Sequence, residues 1–361
     1  MSKILYTAST ASHLHAFHER YIKALRDEGH EVKTLAFGEG VDYNVPFEKK
    51  MLSYTNSKCR KQIRKILDTE HFDAVILNTS LAAFHIRLAM RRKNRPRTVN
   101  VVHGYLFPEF AKCFRQKTKR LLLLFAEKLL ASKTDAIITM NNEDLRIAHK
   151  EGLTRGPIIH TFGMGISAPE FTKAPGEIRR ENGAEGAFIL AFAGELSGRK
   201  NQFFLISALP KVIERVPNAV LWLLGDGAER ASLENEARTL GIGERVIFFG
   251  RRKNPSDYMR ECDAYVSASR SEGLPFNIVE ALSCGAAVIA TRVKGHTDIL
   301  ESGAGFLFEP GSTEEFAEYV AGIANGTVSA DRDKIRETVR LFSEQEVFDK
   351  TYKAIKEAAG I

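Results

Sequence analysis

Short apolar runs alternate with amphipathic stretches along the first half of the chain. The runs Ile4–Thr7, Glu31–Phe37, Ala74–Asn78, Thr98–Val102, Ala136–Thr139 and Ile158–Thr161 predict strands. The stretches His15–Glu28, Ser57–Thr69, Leu81–Lys93, Ala111–Ala131 and Glu143–Glu151 carry helical spacing. Such alternation predicts βαβ units around a parallel sheet. The pattern resets at Phe188–Ala193, and a second series follows at Val220–Leu224, Val246–Phe249, Ala264–Ala268, Ala287–Ala290 and Gly305–Phe308. Gly163–Gly186, rich in Gly, Pro and charge, is the candidate linker. Three helical stretches close the chain with no strand between them: Thr313–Asn325, Asp331–Phe342 and Ser343–Ala359. The fold class is therefore α/β, with two Rossmann-like domains, residues 1–165 and 166–344, expected to face each other across a cleft. The terminal helix, 345–361, is expected to pack back on the first domain.

Composition adds bounds. A chain of 361 residues is long for one core and typical of two. Its start reads as a first strand rather than a secretory signal, and no uninterrupted apolar run, Leu121–Ala126 included, is long enough to span a bilayer. Cys59, Cys113, Cys262 and Cys284 are scattered with no CxxC, which points to free thiols in a reducing cytoplasm. Charge is uneven. Residues 1–165 carry 28 Lys+Arg against 16 Asp+Glu, a net of +12, while the remainder carries 24 against 29, a net of −5. The basic clusters, Lys58–Lys65, Arg87–Arg97 and Lys112–Arg120, suit an anionic partner or are solvated helix faces. No helix-turn-helix, zinc-finger or RNA-recognition pattern is present, so no nucleic acid partner is expected. The last cluster runs directly into Leu121–Phe125, a pairing that suits a helix lying on an anionic membrane surface.

Candidate chemistry concentrates in residues 269–285, Ser-Arg-Ser-Glu-Gly-Leu-Pro-Phe-Asn-Ile-Val-Glu-Ala-Leu-Ser-Cys-Gly. Glu272 ends a strand and its turn, Gly273 and Pro275 break the chain, and Glu280 falls about one turn into the following helix. The backbone N–H groups of Phe276, Asn277 and Ile278 are expected to point at an anion. A phosphate with a carboxylate on either side suits a nucleotide sugar; two solvated acids in a surface turn is the bland alternative. Gly194 ends the first strand of the second series, and Arg199 and Lys200 follow where a phosphate-binding loop would place cations. His103 stands at a strand end of the first domain, where it is either a site group or a satisfied polar residue. Ser9, Thr10, Ser12 and His13 follow the first strand, with Ser12 a candidate helix cap. Leu224-Gly225-Asp226-Gly227 lacks the rest of a dinucleotide fingerprint and reads as structural. No metal-ligand spacing appears.

Together, Gly194…Lys200-Asn201, Phe249-Gly250-Arg251, Ser271-Glu272-Gly-Leu-Pro-x-x-x-x-Glu280-Ala-x-x-Cys-Gly and Gly303-x-Gly305-Phe-Leu-Phe resemble the family 4 retaining glycosyltransferases of GT-B fold. The N-terminal segment and His103-Gly104-Tyr105 are similar to a capsule and exopolysaccharide branch. The resemblance implies a hexosyl transfer with retention from a nucleotide sugar, UDP-linked, to a polyprenyl-diphosphate-linked or other saccharide acceptor at the inner face of the cytoplasmic membrane. It implies no cofactor and no metal. Glu280 would bind the ribose diol, Glu272 the donor-sugar hydroxyls, and Lys200 with the helix-start amides the leaving diphosphate. Gly250–Arg252 would line the base, and His103 would touch the donor sugar from the opposite, acceptor-side domain. Two departures stand out. Glu195 occupies a position where many relatives have Arg, leaving Arg199 as the substitute, and Ser-Thr-Ala-Ser-His replaces the usual Gly-rich first loop, which puts a phosphate contact at Ser9 in doubt. A UDP-sugar epimerase of the same fold, or a non-catalytic nucleotide- or nucleic-acid-binding protein, are the alternatives.

Overall fold

The structure is a computed structural model, describing residues 1–51, 53–107, 114–163 and 165–361. Lys112 and Cys113, the start of the helix expected from Ala111, and Met164 of the candidate linker lie outside the described residues. The chain divides into two compact units, residues 1–164 with 345–361, and residues 165–344.

The first unit holds seven strands: β1 (Lys3–Thr10), β2 (Glu31–Phe37), β3 (Tyr43–Asn44), β4 (Ala74–Asn78), β5 (Arg97–Val102), β6 (Ala136–Thr139) and β7 (Ile158–His160). They form one parallel sheet in the order β3-β2-β1-β4-β5-β6-β7. Alternation along β1 sends Ile4 and Tyr6 to one face and Leu5 to the other. The first face is covered by the helix Glu344–Ala359, whose Ala354, Ile355 and Ala358 share its core; the second by Cys59, Ile63, Ala82 and Ile86. Both faces being covered, β4 is buried at every residue, and its sequence is apolar up to the terminal Asn78.

The second unit holds β8 (Phe188–Ala193), β9 (Ala219–Leu224), β10 (Val246–Gly250), β11 (Ala264–Ser267), β12 (Ala287–Thr291) and β13 (Phe306–Phe308), all parallel in the order β10-β9-β8-β11-β12-β13. In each sheet the chain leaves two neighbouring strands in opposite directions, at β1/β4 and at β8/β11. Ligands of open parallel sheets bind at the carboxyl ends of such a pair.

Three expectations need correction. The helix expected over His15–Glu28 is two helices, Ala11–Phe17 and Glu19–Asp27, parted at His18 (φ −124°). Ser12 caps nothing: Thr10 holds the N-cap position without a side-chain bond, and the Ser12 hydroxyl donates to Thr10 Oγ1 instead. The Arg87–Arg97 cluster is largely consumed inside the unit. Arg87, 1% exposed, forks onto Glu127 at 2.9 and 3.0 Å, Arg91 pairs with Asp68, Arg95 with Asp135, and Arg97 donates to Ala358 O.

Candidate active site

At the β8/β11 switch two loops, residues 194–201 and 268–275, are built against each other. Gly194 N–H donates to Leu224 O (2.9 Å) and Gly225 N–H to Gly250 O (2.8 Å). A Cβ on Gly225 would lie 1.9 Å from Gly194 O, so only glycine permits this approach. The Leu224–Gly227 turn is thus structural, shaping the loop that follows β8. The Gln202 side chain pins that loop, donating to Glu195 O and accepting from Ser197 N–H. Asn201 takes the left-handed conformation (φ +57°) and donates to Ala268 O, while Arg270 N–H donates to Arg199 O at 2.9 Å.

These ties bring Arg199, Lys200 and Glu272 together. Lys200 Nζ lies 2.8 Å from Glu272 Oε1, and Arg199 Nη1 donates to Oε2 at 2.7 Å. The side chains of Glu272 and Lys200 are 6% and 11% exposed, that of Arg199 51%. Burial pushes the Glu272 carboxyl up, but Lys200, the Ser269 hydroxyl and Arg199 outweigh it and hold the acid below its ordinary range. Glu272 is therefore an anion between two cations, and the cluster carries one net positive charge at the switch point.

Glu280 lies in the helix Phe276–Ser283, partly buried and with no ion pair among the described residues; burial alone raises it above its ordinary value. At the start of that helix Ile278 N–H already donates to Pro275 O (3.1 Å), so it is not free for an anion as expected. The Asn277 side chain donates to Ala193 O and to the Tyr265 hydroxyl, tying the helix start to the end of β8. Gly250 closes β10 with its carbonyl engaged by Gly225, and the Arg252 guanidinium lies 5.7 Å from the Phe249 ring centroid. The sequence reading overlooked His296. Fully buried, it meets Ser267 Oγ and Thr291 O and is held near pKa 4 by burial. Beside it Gly295 (φ +84°) presses on the Glu272 turn, where an added Cβ would come within 2.9 Å of Glu272 Cβ. Gly295-His296 just past β12 was the available signal.

In the first unit, Ser9 and His103 both reach the end of β4. Ser9 N–H donates to Thr79 Oγ1 (3.0 Å), so its amide is engaged within the protein, and His103 Nε2 is 3.5 Å from Asn78 Oδ1. Thr79 has φ +64°, a strained conformation for a β-branched residue at a switch point. His13, His18 and His103 form a cluster that sequence spacing hid: one nitrogen of each lies within 4.8 Å of the others, and His18 Nε2 is 3.3 Å from His13 Nε2. Burial lowers all three, His103 to about 3, so they are neutral imidazoles able to meet sugar hydroxyls or ligate a divalent transition metal.

Two parallel, switch-point sheets in one chain, the second with the buried Lys200–Glu272 pair at its switch point, define an α/β architecture of two Rossmann-like units. The model of the family described as "Glycosyl transferases group 1" matches residues 176–342, and that of "Glycosyltransferase Family 4" matches residues 18–161. A Bacillus subtilis protein assigned as glycosyltransferase EpsD is 31% identical over 335 residues, covering 88% of this chain and 86% of its own. An Escherichia coli UDP-Gal:alpha-D-GlcNAc-diphosphoundecaprenol alpha-1,3-galactosyltransferase is 25% identical over 272 residues, covering 73% and 69%. Among solved structures, Anabaena HepE in complex with UDP superposes with a TM-score of 0.76 at 20% identity, over 99% of this chain and 100% of that one. The chain belongs to the family 4 glycosyltransferases and has the GT-B type of fold.

Proposed function

We propose that this glycosyltransferase moves a hexosyl group from a UDP-linked sugar, with retention and without a metal ion, to a polyprenyl-diphosphate-linked or other saccharide acceptor in cell-surface polysaccharide synthesis. The observation that carries the reading is the buried Lys200–Glu272 pair, joined by the half-exposed Arg199, at the β8/β11 switch point. Lys200 stabilises the charge that grows on the leaving diphosphate, where a preformed cation in a dry site costs no reorganisation. Arg199, 2.7 Å from Glu272, supplies the second cation in place of the Arg that Glu195 replaces. A carboxylate offers about four lone-pair directions, so Glu272 can hold both cations and still accept donor-sugar hydroxyls. Glu280, with no charged partner of its own among the described residues, takes the ribose diol. The amides of Phe276 and Asn277 face the diphosphate, and Gly194 lets it approach the backbone. Gly250 and Arg252 border the base. In the first unit, neutral His103 suits a sugar hydroxyl rather than a phosphate, and Ser9 has its hydroxyl to offer but not its amide.

The names of the relatives support the substrate classes: a UDP complex for HepE and a diphosphoundecaprenol acceptor for the E. coli galactosyltransferase. No helix among the described residues is long and apolar enough to cross a membrane. The reaction is assigned to the inner face of the cytoplasmic membrane, where such an acceptor is met.

Calorimetric titration of a panel of nucleotide sugars tests this reading. UDP-sugars should bind in preference to GDP- and ADP-sugars, and slow hydrolysis to UDP without acceptor should continue in excess EDTA. Absence of binding to any nucleotide sugar would overturn the function. Activity lost in EDTA and restored by Mg²⁺, Mn²⁺ or Zn²⁺ would overturn the metal-free part, and an epimerised nucleotide sugar as product would make the enzyme an epimerase.

A further inference from the structure

The helix Phe114–Ala131 turns an apolar stripe to solvent. Phe114, Leu121, Leu122, Phe125 and Leu129 are 85%, 67%, 66%, 62% and 57% exposed. At 3.6 residues per turn these five fall within an arc of about 100°. Leu124 and Leu130 are buried on the other side, and Glu127 there holds Arg87. The exposed stripe is thus not a core stripe left partly covered: the helix has a separate inward face, and the stripe points away from it.

Charge identifies what covers the stripe. Arg115 and Lys119 project along one border and Lys117 along the other, all exposed and without an ion pair among the described residues. Arg120 belongs elsewhere, since it pairs with Glu151 at 2.6 Å. Much of the other two basic clusters is bound inside the unit: Arg64 donates to Ala89 O and Arg60 to Ser57 Oγ, in addition to Arg87, Arg91, Arg95 and Arg97. An apolar ribbon about 23 Å long, flanked over its first turns by cations unpaired among the described residues, matches an interface of acyl chains beneath anionic headgroups. A second copy of the chain would instead set like charges against each other along both borders.

We propose that this helix is a membrane-docking face: Phe114, Leu121, Leu122, Phe125 and Leu129 enter the acyl boundary of an anionic bilayer while Arg115, Lys117 and Lys119 bind its headgroups. The proposal deepens the lipid-linked acceptor reading by naming the surface on which that acceptor is met. Its test uses no substrate, so the two fail separately.

The full chain is sedimented with vesicles of phosphatidylcholine alone and of phosphatidylcholine mixed with phosphatidylglycerol. Binding to the anionic vesicles should be at least about tenfold tighter and should weaken as salt rises, since each basic residue near such a surface is worth about fivefold. Changing Leu121, Leu122, Phe125 and Leu129 together to Ser should abolish sedimentation. Changing Arg115, Lys117 and Lys119 to Ser should remove the anionic preference. Both variants should keep the wild-type melting temperature and nucleotide-sugar affinity, because every altered side chain is exposed. Equal retention on the two lipids, or undiminished binding by the Leu/Phe variant, overturns the proposal. So does a wild-type dimer in sedimentation equilibrium that the Leu/Phe variant dissolves, which would give the face to a second copy.

Discussion

Glu272 and Glu280 are eight residues apart and are pushed in opposite directions. Lys200 and Arg199 hold the first ionised against burial, and burial alone lifts the second. Environments that split two like acids assign them different work. Glu272 is an anion held between two cations, whereas Glu280 has no charged partner among the described residues and is proposed to take hydroxyl donors. If Glu280 accepts the ribose diol it must bind ionised, so donor binding lowers its pKa. Affinity is then full above the raised pKa of the free protein and falls by up to about tenfold per pH unit below it. Calorimetry with a UDP-sugar, whose esterified diphosphate does not titrate in this range, should show that fall setting in above the ordinary glutamate range as the pH is lowered. Glu280→Gln should bind more weakly and lose the dependence. A wild-type profile that Glu280→Gln reproduces would remove the residue from the donor site.

Among the elements, the strands were legible because parallel strands covered on both faces read as unbroken apolar runs, as residues 74–77 and Phe188–Ala193 do. The two-residue β3 has no such run. The break at His18 was hidden because apolar spacing continues across it from Leu14 to Ile22 and Leu25. Charge counts misled more. Arg87 sits in a basic run yet is the inner half of a buried pair with Glu127, a contact that depends on a residue 40 positions away. The connections between strands do the same for the site. Gly295, after β12, packs on the turn that carries Glu272. A Gly295→Ala variant meets both a left-handed φ of +84° and a Cβ contact of 2.9 Å. It should lose about 1–3 kcal/mol of stability and displace Glu272 from its cations. Denaturant unfolding and UDP-sugar turnover should both fall; unchanged turnover would show that the loop after β12 does not position Glu272.

For the whole molecule, the repeat of strand–helix alternation gave away both sheets, and the motif from Ser271 to Gly285 pointed to Glu272, which the fold brings to Lys200 and Arg199. The first unit's histidine cluster was less legible. His13, His18 and His103 meet only because β1 and β5 both end near β4, and Thr79 carries no sequence mark of its positive φ. The charge asymmetry was visible, but which cations stay unpaired among the described residues depends on the fold: Arg115, Lys117 and Lys119 do, and Arg120 does not. On the function proposed here, Lys200, the buried cation of the second unit, drives departure of the nucleotide diphosphate. Single-turnover release of UDP from a bound UDP-sugar, compared between wild type and a folded Lys200→Ala variant at saturating donor, tests it most directly. Removing a donor that acts only as charge develops typically costs about 2.7–4 kcal/mol of barrier. Release should therefore slow by about 10²–10³-fold with donor affinity changed far less. Release at the wild-type rate, or a loss confined to affinity, would contradict it.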